Sequence, residues 1–452
     1  MESRKDRQGI DSDPTVISNL KVISNEDPTK FANLAGKGLV RFLYHESMMH
    51  DTIHATVEYV DTGDTDDVIG GINVLEALPI IGTEKVEIKF EDFTGAKIGD
   101  SPKLNLYVNK VTPLGSDTRK GVVRLDLVSK EFLLNEKVKL RKRYDGKISD
   151  NIEKILTDPI GEGLGTEKNI DFEDTLNNFN FIGNNQKSFY TLNWLSKKSI
   201  SAQNQNKGKS AGYFFWETSM GYHFKSIDGL FLQKPKKKII YTETPDEMGK
   251  FIPEGYDYKC LEYNKDNLIN ASNKLRMGAF STKIVLFDPF KCEYEVITPN
   301  VDDFKDDLKL AGKKLPKLNK ELEVPGAERE FSRTTYYLLD KGTLPSGNTT
   351  QQIEKSEEEN FEYRDILNQS IMRYNQFISF AASITIPGDF SLHAGDMIHL
   401  DVPLLEVDKK DNTSKMDSGL YIITDLTHLI TGSETYTKLD LVRDSSGKKR
   451  QE

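Results

Sequence analysis

The chain carries one segment twice, and this repetition constrains its fold more than any other feature. LYVNKVTPLGSDTRKGVVRLDLV runs from Leu106 to Val128, and LYIITDLTHLITGSETYTKLDLV from Leu420 to Val442. Both open Leu-Tyr and close Leu-Asp-Leu-Val, with nineteen positions from the first leucine to the leucine that begins the closing motif. The match continues upstream. LPIIGTEKVEIKF precedes the first copy and LHAGDMIHLDV the second, each with a turn glycine ahead of alternating apolar residues, Val86-Ile88-Phe90 and Ile398-Leu400-Val402. That glycine stands 24 residues before Leu-Tyr in one copy (Gly82) and 25 in the other (Gly395). Agreement over about fifty residues identifies duplicated units of alternating strands. Two such units suit 452 residues, a length that exceeds one ordinary core.

The remaining chain is organised around the copies. Residues 1–34 mix charges with Asp-Pro pairs and predict an N-terminal arm without a core of its own. Period-two alternation then begins with Phe42 and Tyr44, continues through Ile53, Ala55, Val57 and Tyr59, and predicts a first β-barrel over 35–135. Residues 136–270 read as a mixed α/β middle. They hold a helix behind Ser149 and Asp150 that Pro159 stops, a second through Leu192 and Leu195, and an aromatic hairpin, SAGYFFWETSMGYHFKSIDGLF. Residues 271–298 and 374–446 are expected to form the second barrel around an insertion, 299–373, that is charged and contains a flexible loop; 447–452 form a tail. The fold class is therefore β-rich α+β, with two similar small antiparallel β-barrel domains flanking a mixed α/β middle region. In the second copy Tyr421 and Ile423 alternate with Ile422 and Leu426, so neither strand face is polar, which predicts a face shared between subunits.

Charge and cysteine content exclude several classes. With 71 acidic against 61 basic residues the net charge is −10, which argues against a nucleic-acid binder that works by neutralising phosphates. The basic run at Lys234–Lys238 reads as a solvated loop before a strand. Cys260 and Cys292 are too few for a disulfide framework or a cysteine-rich zinc site, as suits a reducing compartment. The polar N-terminus lacks a signal-peptide core. The longest apolar window, Phe377–Ile386, is too short to span a bilayer.

Catalytic patterns resolve into structural ones. HESMMHDTIH gathers His45, Glu46, His50 and His54, but the spacing is not H-E-x-x-H, and the alternation makes His54 the polar side of a strand. His393 and His399 fall at a turn and on the polar face of a strand. GKSAG at Gly208–Gly212 matches the nucleophile elbow around Ser210, yet a polar stretch precedes it and a strand follows, the reverse of the required context. A P-loop would need glycine where Gln203 stands. Trp194 and Trp216 read as core. No catalytic, cofactor-binding or metal-binding residue is assigned, and no cofactor.

Six segments also carry a resemblance: YDGKISDNIEKIL, NFIGNNQKSFYTLNWLSKKSI, AGYFFWETSMGYHFKSIDGL, MGAFSTKIVLFDPF, ITIPGDFSLHAGDMIHLDVP and SGLYIITDLTHLITGSETYTKLDLVRD. In this order the chain resembles the central baseplate hub proteins of T-even-like contractile-tailed phages, and more loosely the phage late-control proteins and the N-terminal part of type VI secretion spikes. The resemblance implies a homotrimer in which two similar barrels per chain make a pseudo-sixfold ring, joining a threefold central spike to a sixfold tail tube. It implies as partners a spike protein bearing a lysozyme, tube or tube-initiator proteins and baseplate wedge proteins. DNA would pass only transiently through the lumen, with no membrane insertion. The implied location is the virion tail baseplate, after assembly in the host cytoplasm, and the implied role is structural. The alternative is a hydrolytic, cell-wall-degrading baseplate component using His50/His54 or Ser210.

Overall fold

The computed structural model describes residues 14–447, except 37, 64–70, 100–103, 203–210, 243–251, 267–270, 280–281, 290, 299–307, 318, 323–332, 341, 344–347, 353, 355–362 and 405–412. Short apolar-alternating stretches become strands, as their half-buried pattern requires. The first unit comprises β1 (Val16–Ile23), β2 (Leu39–Ser47), β3 (His54–Asp61), β4 (Lys85–Glu91), β5 (Asn105–Ser116) and β6 (Gly121–Ser129), paired in the order β1-β4-β5-β6-β3-β2. Its core is the inward set, among them Leu20, Phe42, Val57, Ile88, Leu106 and Leu125.

The middle follows. In helix α1 (Ile148–Thr157) Ile148, Ile152, Ile155 and Leu156 are buried on one stripe. Helix α2 (Ser188–Ser196) packs beside it through Leu192 and Leu195, and β7 (Tyr213–Thr218) pairs with β8 (Gly221–Ser226) before the short helix α3 (Ile227–Phe231).

The second unit takes β9 (Lys237–Ile240) and β10 (Glu262–Asp266) first. A separate sheet of β11 (Lys283–Asp288), β12 (Glu293–Ile297) and β13 (Thr334–Leu338) intervenes, followed by helix α4 (Tyr363–Phe377). The unit is completed by β14 (Phe380–Pro387), β15 (Met397–Asp401), β16 (Gly419–Ile430) and β17 (Thr435–Arg443), and its order is β9-β15-β16-β17-β14-β10. Strand for strand, this is the order of the first unit. In each unit one stretch also ties the two ends together: Phe31–Asn33 pairs with β1 and Leu39–His45 with β3, while Tyr258–Lys259 pairs with β9 and Glu262–Asp266 with β14. The copies differ in two pairings: β1 runs antiparallel to β4 and to Phe31–Asn33, whereas β9 runs parallel to β15 and to Tyr258–Lys259.

The repeated segment is a hairpin in both places, with strands of 12 and 9 residues. Each first strand has a bulge at the step facing the closing Leu-Asp: Val108 faces Leu127 and Lys110 faces Asp126, just as Ile423 faces Leu441 and Asp425 faces Asp440. Val108 and Ile423 are thus equivalent, which displaces the two Leu-Tyr pairs by one residue. Their burial shows it: Leu106 is buried and Tyr107 half-buried, whereas Leu420 is half-buried and Tyr421 buried. A second bulge in the first copy, between Pro113 and Gly115, restores the equal spacing.

Three sequence expectations are corrected by these pairings. The arm is part of the fold from Thr15 on, because β1 pairs along β4 and buries Leu20 and Val22; residues 1–13 lie outside the described residues. The hairpin within 271–298 is not in the second unit. It forms its own sheet with β13, because Lys283–Phe287 lies in parallel register with Thr334–Leu338, and the place reserved for it is filled by β9 and β10. The insertion is partly core, with Ala311 buried and Lys314 bridged to Ser446; much of its loop, including 355–362, falls outside the described residues. The two-faced burial of β16 also has an internal cause: Tyr421 and Ile423 face the second unit's core, and Ile422 packs with Trp216, Phe377 and Val442.

Candidate functional site: the junction of the two sheet units

The junction begins with a mismatch of lengths. β16 has 12 residues and its neighbour β15 only 5, so part of one β16 edge is left over. Gly419–Ile422 pairs with β15, and Asp425–Ile430 on the same edge pairs with Ser47–Phe42 of β2, which makes the two units one continuous sheet. The bulge at Thr424 marks the change of partner, and its carbonyl accepts from Met48 N at 2.8 Å. Paired backbone at this seam leaves no open edge for unwanted association.

Side chains converge on the seam from three parts of the chain. Glu46 of β2 is fully buried and accepts from the Tyr44 hydroxyl at 3.0 Å, from Ser219 N of the middle hairpin turn at 2.7 Å and from Ala394 N at 3.2 Å. His393 Nδ1 lies 3.4 Å from the same carboxylate. Burial pushes the Glu46 pKa up, but the His393 charge and the hydrogen bonds outweigh burial and hold it at about 2. Burial lowers the His393 pKa, and Glu46 more than reverses that. His428, sandwiched between Tyr44 and Phe390, is pushed down to about 4 by burial; its Nδ1 sits 2.9 Å from Thr437 Oγ1.

Gly395 lets the middle hairpin approach. Its φ is +91°, and an added Cβ would stand 2.4 Å from Trp216 Cζ2, while Trp216 Nε1 donates to Ala394 O at 2.9 Å. Gly395→Ala is expected to cost about 2 kcal/mol, from the left-handed backbone and from overpacking against an indole that cannot withdraw. A urea midpoint equal to wild type would show that Trp216 yields freely.

Two buried ion clusters complete the clamp. Lys168 Nζ lies 2.6 Å from both Glu131 and Glu217, and Glu217 also accepts from Ser129 Oγ at 2.6 Å and Ile53 N at 3.1 Å, tying the middle hairpin to the first unit. Arg373 of α4, 1% exposed, donates to Asp444 at 2.6 Å, to Asp228 at 3.0 Å and to Lys309 O at 2.5 Å. Asp444 takes a further bond from Ala311 N at 3.0 Å.

The residues singled out from sequence are distributed as follows. His45, His50 and His54 do meet, as an edge-to-face ladder with ring centroids 5.9 and 5.8 Å apart that ends on Phe132. Burial lowers the pKa of His45 and of His54. Among the described residues no group of three or more His, Cys, Asp or Glu is placed to hold a metal. Ser210 lies outside the described residues. His399, expected on a polar face, is 2% exposed because all five residues of β15 are buried, and its Nε2 lies 3.1 Å from Asp401. The lysine run is anchored rather than simply solvated: Lys236 pairs with Asp396 at 2.8 Å, and Lys238 stands over the Tyr256 ring. Trp216 is core, and Trp194 is half-buried in a cleft of about 430 Å³ with Ile182, Tyr190 and Asp340. Glu131, Glu217, Asp228, Arg373 and Asp444 were missed; no local pattern marks them, because their partners are distant in sequence.

Solved structures share this fold. The 43 kDa tail protein of prophage MuSo2 from Shewanella oneidensis aligns over 94% of this chain and 98% of its own, at 8% identity and a TM-score of 0.50. The tail protein from Neisseria meningitidis MC58 aligns over 95% and 97%, at 10% identity and a TM-score of 0.50. No protein-family model matches the chain, and no curated protein matches it in sequence.

Proposed function

We propose that the protein is the central hub of a contractile phage tail baseplate, a homotrimer whose work is geometry rather than catalysis. Each sheet unit acts as a small barrel, and three chains present six similar barrels as a pseudo-sixfold ring. Such a ring matches a threefold spike on one side and a sixfold tube on the other, and leaves a lumen for DNA. The partners follow from that position: spike and lysozyme protein, tube or tube-initiator proteins, and wedge proteins, in the virion tail.

The observation that carries the reading is the recurrence of one six-strand order, with the same end-to-end tie, in two units fused through β16 and β2. A fused pair cannot rotate freely, so the angle between copies is built into the chain, as a symmetry adaptor needs. The full-length alignment to two tail proteins supports the same reading. Purified protein is expected to scatter light as about three times the 51.3 kDa chain and to show six lobes end-on in electron micrographs. A monomer at micromolar concentration, or a ring with three lobes, would overturn it.

A further inference from the structure

The turn that joins β2 to β3 ties the three parts of the chain to one another. Met48 N donates to Thr424 O of the second unit at 2.8 Å, Asp51 accepts from Asn193 Nδ2 of α2 at 2.6 Å, and Ile53 N donates to Glu217 of β7 at 3.1 Å. Opening this one turn would loosen all three ties together.

Three histidines frame the turn: His45 before it, His50 within it and His54 after it. Register sets His45 directly opposite His54, which places their Cβ atoms about 5 Å apart on one sheet face. The exposed His50 ring lies edge-on to both, its centroid 5.9 Å from that of His45 and 5.8 Å from that of His54. Phe132 of the helix Lys130–Lys137 closes on His54 at 5.5 Å, and Thr427 Oγ1 of β16 sits 2.9 Å from His45 Nδ1. Neutral rings pack favourably in this edge-to-face manner. Charged rings do not: at effective dielectric constants of about 40–80, a like charge about 6 Å away makes the next protonation about 3- to 10-fold harder. The surrounding charges do not cancel this. Asp425 of β16 lies 3.9 Å from His45 Nε2, and Glu46 of β2 and Asp440 of β17 act on that ring more weakly. Asp51 faces His50 but is bonded to Asn193. Among the described residues, the charges acting on His54 are those of the other two rings. Burial and these rings lower the pKa of His54, and burial lowers that of His45 although Asp425 opposes it.

We infer that His45, His50 and His54 form an acid-operated latch on the 48–53 turn: neutral rings hold the turn shut, and protonation of more than one ring frees it. The sign follows from the proton balance. An opened turn protonates its histidines near their ordinary value of 6.5, and the closed turn takes those protons less readily. Closure is therefore complete above pH 6.5 and weakens as the pH falls below it. The effect is local, because solvent screens the half-exposed rings, and it moves one turn, whereas the enclosed His428 acts on the global midpoint. The latch is a property of the single chain.

The test follows hydrogen exchange at the Met48 and Ile53 amides of the full chain at pH 7.5 and at pH 5.5, corrected for the intrinsic pH dependence of exchange. In wild type, protection at both amides is expected to fall about 3- to 10-fold across this interval. His50→Gln keeps a polar side chain at an exposed position and removes the middle charge, so its protection should fall by less than about 2-fold. His393, His428 and Glu217 remain in both proteins, and the difference between the two isolates the latch. In the same variant the His45 and His54 rings, followed by NMR, should titrate at higher pH than in wild type, because a neighbouring positive charge is gone. Equal losses of protection in wild type and His50→Gln would overturn the latch, as would wild-type protection that does not change with pH. Unchanged His45 and His54 titrations in His50→Gln would show that the rings do not act on one another, and would overturn it as well.

Discussion

Arg373→Leu is expected to lower the stability of the protein by about 3–5 kcal/mol, the cost of removing one partner from a buried ion cluster. Arg373 is the cation between Asp228 and Asp444, both fully buried, and it also holds the Lys309 carbonyl. Burial by itself disfavours the guanidinium charge, and the two carboxylates overcome that, which raises its pKa. Leucine fills much of the volume but leaves two carboxylates in a site that no longer compensates either. Four pieces of chain meet here: α4, α3, the end of β17 and the 309–312 stretch that hydrogen-bonds to Asp444 and Ser445. The loss should therefore appear first as faster amide exchange at Ala311 and Gly312, and then as a lower urea midpoint read by Trp216 fluorescence. Adding Asp228→Asn and Asp444→Asn to Arg373→Leu should recover most of the loss, since it removes the stranded charges. A single variant within about 1 kcal/mol of wild type would show that the cluster is solvated in solution.

The parts of the fold that were legible in sequence are those where burial alternates along one strand. Leu125 and Leu127, like Leu439 and Leu441, point inward every second residue, and the duplicated hairpin follows from that alone. The bulges were not legible, because Asn109 and Thr424 carry no signature of an unpaired position, and the Leu-Tyr match looked exact while its two members face opposite ways. Assignment of a strand to a sheet was not legible either. β11 and β12 have the alternation of any hairpin, and only the return of β13 alongside them decides their sheet. The junction was hidden for a third reason. Glu46, Asp228, Arg373 and Asp444 look like surface charges, and the partners that let them be buried lie 71 to 348 residues away. His399 misled for the same reason, since β15 has no solvent face on which its polar residues could lie.

Acidification from pH 6.5 to 4 is expected to cost about 3 kcal/mol through His428 alone, at 1.36 kcal/mol per unit of pKa displacement. The ring is completely enclosed, and burial pushes its pKa from 6.5 to about 4. The sign follows from which state takes the proton. Below pH 6.5 the unfolded chain protonates this ring and the folded chain does not, so stability present above 6.5 is lost as the pH falls toward 4. Neighbouring groups act in other windows. His393 has a raised pKa, so its contribution is complete below 6.5 and is lost only as the pH rises through its folded value. Glu46, held at about 2, begins to lose its contribution only below its ordinary value of 4.5. His45 and His54 are displaced in the same direction as His428, but their exposure to solvent screens them. Within the seam the slope between pH 6.5 and 4.5 therefore belongs chiefly to His428; Glu217, whose pKa burial raises above 4.5, contributes with the opposite sign. His428→Gln keeps a hydrogen-bonding group beside Thr437 and cannot titrate, so between pH 6.5 and 4.5 its urea midpoint should fall less than the wild-type midpoint. Equal slopes in the two proteins would refute the assignment. A protein that loses its seam at mild acidity would separate the two sheet units at the Tyr44–His428–Phe390 stack first, because Tyr44 belongs to the first unit and His428 to the second.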